Sequence, residues 1–304
     1  MATEPLITAL VQHPCGESVE ENLARSERGI RHAAHEGAAL VLLQELHTTP
    51  YFCQTEEVRH FDRAEPVPGP TTERLGRLAA ELGVVIVASL FERRGPGLHH
   101  NTAVVLERDG HIAGLYRKMH IPDDPGFHEK FYFAPGDLGF RPVETSVGRL
   151  GVLVCWDQWF PEAARLMALA GADLLLYPTA IGWDPRDDEE EQRRQFEAWQ
   201  IVQRGHAVAN GLPLLCCNRS GFEPDPSGCT AGIRFWGGSF ASGPQGEMLA
   251  EAGNDSEETL VVSIDTGRSS AVRRIWPFLR DRRVDAYGDI RHLWIDPHPP
   301  AEGD

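Results

Sequence analysis

Segments typical of β-strands and of α-helices alternate along nearly the whole chain. The apolar run at residues 7–12 predicts a first strand, and a helical pattern follows at residues 20–37, where Gly37 ends it. The apolar run at residues 38–46 predicts a second, buried strand because it is short. A chain that alternates in this way folds with helices covering largely parallel sheets. The pattern therefore predicts a single α/β domain.

Two hairpin signals interrupt this alternation. Residues 101–107 and 111–117 flank Asp109-Gly110, a dipeptide that favours a tight turn because Gly tolerates positive φ. Residues 240–249, around residues 243–246, predict a second hairpin. Further strands are expected at residues 84–89, 150–154, 173–177, 212–217 and 259–265, and further helices at residues 70–82, 161–170 and 190–210. Length alone leaves a (β/α)₈ barrel and a layered sandwich open, but the hairpins favour the sandwich.

Composition excludes several classes of function. The 304 residues include 29 Lys and Arg against 45 Asp and Glu, a formal charge of 29 − 45 = −16, which argues against nucleic-acid binding and against an anionic membrane surface. No run approaches the ~20 apolar residues that span a bilayer. The six cysteines follow no disulfide or zinc-ligand spacing. We expect a cytoplasmic protein without metal or cofactor, with one domain over residues 1–296 and a flexible tail at 297–304.

Three chemically complementary residues follow predicted strands. Glu45 ends the second apolar run, Lys118 follows the second strand of the first hairpin, and Cys155 follows the strand at 150–154. Amide hydrolysis without a metal needs a nucleophile, a base and a positive charge for the oxyanion. Taken singly, each residue also has an ordinary interpretation, as an exposed carboxylate, an exposed strand-end amine and a buried thiol. Their combination is what indicates chemistry.

The segments around these residues resemble the nitrilase superfamily of carbon–nitrogen hydrolases. The resemblance rests on Tyr116-Arg117-Lys118, on Cys-Trp-Asp-Gln-Trp-Phe-Pro-Glu-Ala-Ala-Arg at residues 155–165, on Tyr-Pro-Thr-Ala-Ile-Gly at 177–182 and on Phe-Leu-Arg-Asp-Arg-Arg at 278–283. It extends from the first strand to Arg283 and is strongest for the branch that hydrolyses N-carbamoylputrescine. The resemblance implies a four-layer α-β-β-α sandwich.

The same resemblance implies roles for the residues of the site. Cys155 would attack the ureido carbonyl while Glu45 takes the thiol proton and later donates it to the departing nitrogen. Lys118 and the backbone N–H of Trp156 would hold the oxyanion, and the ammonium would also favour the Cys155 thiolate. Glu129 matches a second family carboxylate that orients Lys118. The reaction would release putrescine, carbon dioxide and ammonia.

Substrate choice follows from the residues after the nucleophile. Relatives that act on N-carbamoyl amino acids place an Arg there, whereas this chain has Asp157 and Gln158. An ω-amine instead needs aromatic walls and an anion. The residues expected to bind substrate are Tyr51, Tyr132, Trp156, Trp159 and Asp184, the last as the anion.

The sequence is also compatible with other functions. The same residues could act on a β-ureido acid, an ω-amide or a nitrile, and a binding protein without activity could use the same fold. The partners we expect are a small ureido-amine substrate and further copies of the chain, with neither nucleic acid nor membrane.

Overall fold

Two six-stranded sheets lie face to face at the centre of the computed structural model, which describes residues 4–228 and 230–295. The strands are β1 (Leu6–Gln12), β2 (Leu40–Leu43), β3 (Val85–Gly95), β4 (Leu98–Leu106), β5 (Ile112–Arg117), β6 (Val143–Thr145), β7 (Gly148–Val152), β8 (Leu174–Thr179), β9 (Gly182–Trp183), β10 (Leu214–Asn218), β11 (Ser220–Glu223), β12 (Ile233–Trp236), β13 (Phe240–Ser242), β14 (Met248–Glu251) and β15 (Glu258–Ile264). The helices are α1 (Val19–His35), α2 (Pro70–Leu82), α3 (Glu129–Tyr132), α4 (Pro161–Leu169), α5 (Glu189–Asn210) and α6 (Thr266–Ile275). The expected tail at 297–304 lies outside the described residues.

Strand pairing confirms the mixture of parallel strands and hairpins. The first sheet has the order β15-β1-β2-β3-β4-β5 and the second β14-β13-β10-β8-β7-β6. Both predicted hairpins form, as β4 with β5 and β13 with β14. A third hairpin, between β3 and β4, was not predicted. A small third sheet, β11-β12-β9, adjoins them.

Side-chain alternation explains why the sheets stack and why helices cover them. In β2, Leu40 and Leu42 belong to the core that both sheets share, whereas Val41 and Leu43 belong to the core beneath α1 and α2. Met167 of α4 belongs to the same large cluster of buried residues as the strands of the second sheet. Because successive side chains point to opposite faces, a strand buried on both sides needs an unbroken apolar run. The four-layer α-β-β-α sandwich is confirmed, and the barrel is excluded.

The topology brings the ends of three strands to one region. β2 is parallel to β3, and two antiparallel pairings then make β5 parallel to β3, so Glu45 and Lys118 follow strands at the same sheet edge. The backbone N–H of Glu45 donates to the carbonyl of Thr179 at the end of β8, at 3.2 Å, which joins this edge to the second sheet. Cys155 follows β7, the parallel neighbour of β8.

The helices of the described residues are too short or too polar to cross a membrane.

Candidate active site

A buried ion cluster lies where these strands end. Lys118 Nζ is 2.8 Å from Glu45 Oε1 and 2.7 Å from Glu129 Oε2, and all three side chains are buried. Glu129 is the first residue of α3, which places its carboxylate beside the end of β5. The structure thus places three of the four residues that the sequence suggested for catalysis in direct contact, and the fourth, Cys155, lines the same cavity as Glu129.

Glu45 is held by one carboxylate oxygen and leaves the other free. Asn101 Nδ2 donates to Glu45 Oε1 at 2.6 Å, and Ser89 Oγ donates to Asn101 Oδ1 at 3.0 Å. Glu45 Oε2 is buried and has no hydrogen-bond partner within the described part of the chain. An orphaned carboxylate oxygen of this kind is ready to accept a proton. Sequence reasoning missed Asn101 and Ser89, although both are polar residues inside apolar strands.

A buried arginine fixes the backbone that carries Glu45. Arg219 donates to the carbonyl oxygens of Glu45 and Leu46 at 3.0 and 2.8 Å, and its guanidinium pairs with Glu223 at 2.6 Å. Leu46 has φ of 48°, a conformation that a non-glycine residue adopts only when its surroundings enforce it. Arg219 lies 174 positions from Glu45, so nothing local in the sequence pointed to this contact.

Cys155 occupies a strained turn. It begins the 3₁₀ turn Cys155–Trp159 with φ of 42°, a conformation that costs on the order of 1–3 kcal/mol and is typical of functional positions. Its thiol donates to the carbonyl oxygen of Ala180 at 3.7 Å. The first N–H groups of a helical turn have no partner within it, so the N–H of Trp156 can meet an anion beside the sulfur.

Asp157 braces this turn against the strand that precedes Lys118. Its Oδ2 accepts from the Val154 N–H at 2.9 Å and from the Tyr116 hydroxyl at 2.8 Å. Its Oδ1 accepts from the backbone N–H of His120 at 3.1 Å. Tyr116 and His120 flank Lys118, so one buried carboxylate sets the position of Cys155 relative to the Lys118 ammonium.

The electrostatics of the cluster set the protonation states of Cys155 and Lys118. Burial, then the Glu45 carboxylate, raise the pKa of the Cys155 thiol well above its ordinary value, and Lys118 only partly opposes them. Lys118 favours the thiolate, as expected, but burial and the acids outweigh it, so the resting thiol is protonated. Burial lowers the pKa of Lys118, but Glu129 and Glu45 outweigh it and raise that pKa well above its usual value, so the amine stays charged.

A cavity of about 440 Å³ opens onto the sulfur. It is lined by Pro122, Asp124, Pro125, Phe127, Glu129, Cys155, Trp156, Trp159, Ile181, Gly182, Asp184, Gln195, Ala198 and Trp236. None of these lining residues is a Lys, Arg or His. Such a cavity, with aromatic and apolar walls and a few acids, suits a small cationic molecule.

The residues expected to bind substrate divide into two groups. Trp156, Trp159 and Asp184 line the cavity, and Trp159 Nε1 is buried without a hydrogen-bond partner in the described chain. Tyr51 and Tyr132 do not line it, which corrects the expectation that they form its walls. Both are buried in the aromatic cluster behind it, where their rings pack against other aromatic side chains.

Two aspartates of the cavity lining, Asp124 and Asp184, form what we call its acidic rim. Contrary to expectation, Asp184 is not a free anion. The Asp184 carboxylate forms an ion pair with Arg186 and also accepts the Arg186 N–H at 2.9 Å. Asp124, which is not among the residues expected to bind substrate, also lines the cavity and has no ion-pair partner among the described residues. The turn that fixes it is closed by the Phe127 N–H, which donates to the Asp124 carbonyl at 2.8 Å.

Metal ligands do not assemble in the described part of the chain: no three His, Cys, Asp or Glu residues there are grouped to hold an ion.

Comparison with known proteins places the chain in a family. Residues 7–274 match the model of the carbon-nitrogen hydrolase family. An N-carbamoylputrescine amidase of Solanum lycopersicum is 47% identical over 92% of both chains, and a citrullinase of Francisella tularensis is 40% identical over 93% of this chain and 96% of that one. The crystal structure of a carbon-nitrogen hydrolase from Helicobacter pylori G27 superposes with a TM-score of 0.93 at 52% identity, covering 96% of this chain and all of that one. The chain belongs to the carbon-nitrogen hydrolase family and is a hydrolase of carbon–nitrogen bonds.

Proposed function

We propose that the chain hydrolyses N-carbamoylputrescine to putrescine, carbon dioxide and ammonia, through a covalent intermediate on Cys155. The observation that carries the proposal is the cavity, which leads to Cys155 past acids and aromatic rings and offers no cation along its described lining. The substrate has a ureido group at one end and an ammonium at the other. The relative from Solanum lycopersicum is named for this activity.

The first half-reaction begins from a protonated thiol. Glu45 takes the proton on its free Oε2 as Cys155 Sγ bonds to the ureido carbonyl carbon. The carbonyl oxygen gains negative charge, which the Lys118 ammonium and the Trp156 N–H stabilise. A carbon–nitrogen bond then breaks, and the nitrogen leaves with the proton from Glu45.

The second half-reaction returns the enzyme to its resting state. Water attacks the acyl carbon while Glu45 again accepts a proton, and the carbon–sulfur bond breaks with that proton returning to Cys155. The product with one nitrogen left on the former carbonyl carbon is a carbamate, which decomposes to carbon dioxide and an amine. In this scheme Lys118 keeps its charge, in line with the raised pKa of its amine in the resting enzyme.

The far end of the substrate would meet the acidic rim formed by Asp124 and Asp184. A terminal ammonium gains an ion pair there, whereas the carboxylate of citrulline or of a β-ureido acid meets like charge and no cation among the lining residues. Asp124 is the stronger partner because Arg186 already neutralises Asp184.

A substrate panel tests the proposal. We expect ammonia release to have the highest kcat/KM with N-carbamoylputrescine, a lower value with N-butylurea, which lacks the amine, and the lowest values with citrulline and N-carbamoyl-β-alanine. Citrulline as the preferred substrate would contradict the proposal and would match the Francisella relative instead.

Variants of the rim sharpen this test. Asp124→Asn should raise KM for N-carbamoylputrescine by about two- to fivefold, because the ion pair that is lost lies at an exposed carboxylate, and should leave KM for N-butylurea unaffected. Asp123→Asn is the matched control, since Asp123 is adjacent but does not line the cavity. Equal effects of the two variants would remove Asp124 from the amine site.

We also propose that the chain acts as a homo-oligomer in the cytoplasm, with residues 1–296 as one domain. The C-terminal segment exposes large apolar side chains, among them Ile275, Ile290, Leu293 and Trp294. The five cysteines of the described residues carry free thiols, in agreement with a reducing compartment. Light scattering after size exclusion should give a mass at least twice that of the chain.

A further inference from the structure

The Tyr51 hydroxyl is directed at the ion cluster rather than at the cavity. Its Oη donates to Glu129 Oε1 at 2.6 Å, and the side chain is 1% exposed. The same Glu129 oxygen accepts from Lys118 Nζ at 2.9 Å, and the second oxygen accepts from it at 2.7 Å. Glu129 therefore receives one neutral donor and one charged donor, both in the buried interior.

We propose that Tyr51 is a positioning residue that keeps Glu129 ionised and thereby holds the Lys118 ammonium between two carboxylates. The inference rests on the proposed function, in which Lys118 stabilises the oxyanion. It adds to that function a group that touches neither substrate nor nucleophile.

Tyr51 is itself held in place on two sides. Its backbone N–H donates to Glu223 Oε2 at 2.6 Å, and Glu223 pairs with the same Arg219 that binds the Glu45 carbonyl. Its ring packs against Phe127 with centroids 5.5 Å apart. Because its backbone and its ring are both fixed, the Tyr51 hydroxyl cannot move with the Glu129 carboxylate. The hydrogen bond therefore favours one position of that carboxylate.

The charged and titratable groups around Glu129 make its ionisation sensitive to this donor. Lys118 and Glu45 face it from the ends of β5 and β2, and the thiols of Cys155 and Cys53 are also close enough to interact with it. The pKa of the Glu129 carboxyl is raised to about 7, because burial and the Glu45 charge, which raise it, outweigh Lys118 and the Tyr51 hydroxyl, which lower it.

The Tyr51 hydroxyl lowers the pKa of Glu129, whereas burial raises it. Burial and the Glu129 charge raise the pKa of Tyr51 well above its ordinary value, so Tyr51 remains a donor. A donor stabilises the charged carboxylate, and its removal must raise the pKa of Glu129 above about 7.

Loss of the Glu129 charge would make Glu45, the proton acceptor, a weaker base. With Glu129 neutral, Glu45 alone would compensate the Lys118 ammonium, and a carboxylate held more strongly by a cation is a weaker base. Activity should therefore be lost as pH falls through the pKa of Glu129.

The experiment compares Tyr51→Phe with Tyr132→Phe. Tyr132 belongs to the same aromatic cluster, but its hydroxyl donates to the Thr55 carbonyl and not to Glu129. In Tyr51→Phe the midpoint of the acid limb of kcat/KM should move to higher pH by about 1–2 units. This is the pKa shift expected from the loss of one hydrogen bond to a charged group. Tyr132→Phe should keep the wild-type midpoint.

A second measurement does not depend on turnover. Infrared difference spectra should show the protonated-carboxyl stretch of Glu129, assigned by its loss in Glu129→Gln, titrating at higher pH in Tyr51→Phe than in wild type. Coincident midpoints in both measurements overturn the inference. If the wild type releases no ammonia from N-carbamoylputrescine, the proposed function fails while the infrared titration still decides the role of Tyr51. Melting temperatures confirm that each variant is folded.

Discussion

At the scale of single residues, the site is defined by which groups are charged and which hydrogen-bonding atoms are unused. The Cys155 thiol is protonated at rest because burial and Glu45 raise its pKa. A protonated thiol is a poor nucleophile, so attack requires a base in place. Glu45 Oε2 is the buried acceptor without a partner in the described cluster. Glu45 is therefore the group whose loss should affect chemistry most selectively.

Replacement of Glu45 by Gln tests this role. The amide keeps the shape of the side chain but cannot accept the thiol proton, so we expect kcat to fall by about 10²–10⁴-fold. Steady-state kinetics should show a much smaller change in KM, since Glu45 does not line the cavity. A kcat equal to that of the wild type would assign the proton to another acceptor.

The sequence identified residues that have a chemical signature and missed those that act through distant contacts. Glu45, Lys118 and Cys155 were found because each follows a recognisable strand within a family motif. The sequence predicts Tyr51 as a wall of the substrate cavity because its side chain is aromatic. The sequence does not show which way the ring points, and in the structure it lies outside the cavity lining. Arg219 was missed because its role depends on carbonyls that only the folded chain brings near it.

At the scale of elements, the site depends on how a strand end and a turn are joined. The 3₁₀ turn Cys155–Trp159 is strained at its first residue and is braced by Asp157. Asp157 receives donors from Val154 on one side and from Tyr116 and His120 on the other. The turn and β5 should consequently move together.

The variant Asp157→Asn tests the brace. One carboxylate oxygen becomes an NH₂ group, which leaves buried donors without an acceptor and should cost about 1–3 kcal/mol of unfolding free energy. We expect kcat/KM to fall as well, because the nucleophile loses its fixed distance from Lys118. Asp173→Asn serves as the control, since Asp173 accepts the Arg149 N–H at an exposed strand end of the same sheet. Thermal unfolding and ammonia release measure both effects, and an Asp157 variant indistinguishable from the control would contradict the account.

Elements with strong local signals were predicted, and elements that depend on tertiary pairing were not. The β4–β5 hairpin was evident from Asp109-Gly110, and α5 ends at Gly211, whose φ of 58° suits glycine. Strand β9 has two residues and β12 has four, so neither shows a periodicity of its own. They exist because they pair with each other, and Gly182 of β9 thereby reaches the cavity.

At the scale of the whole molecule, the amino-acid composition affects function through the net negative charge of the chain. The net charge of −16 and the acidic rim of the cavity both attract a cationic substrate. Alternating elements also suit a barrel; the hairpins argue against a pure barrel, and the family resemblance then identifies the four-layer sandwich. The order of the strands in each sheet could not be predicted. It depends on long-range pairings, such as that of β1 with β15, which local sequence patterns do not encode.

Ionic strength tests the contribution of charge. Salt shortens the Debye length from about 10 Å at 0.1 M to about 3 Å at 1 M. We therefore expect KM for N-carbamoylputrescine to rise several-fold over this range, with kcat nearly constant. KM for the neutral N-butylurea should change little. Parallel salt dependence for both compounds would show that charge does not guide binding.

The central claim, that Cys155 becomes covalently linked to the substrate carbon, is tested most directly by one paired measurement. Wild-type enzyme and Cys155→Ala are mixed with N-carbamoylputrescine, ammonia release is followed, and acid-quenched samples are examined by peptide mass spectrometry. The account predicts an acyl adduct on the Cys155 peptide of the wild type, and a loss of activity on the order of 10⁶-fold in the folded variant. Undiminished ammonia release by Cys155→Ala would contradict it.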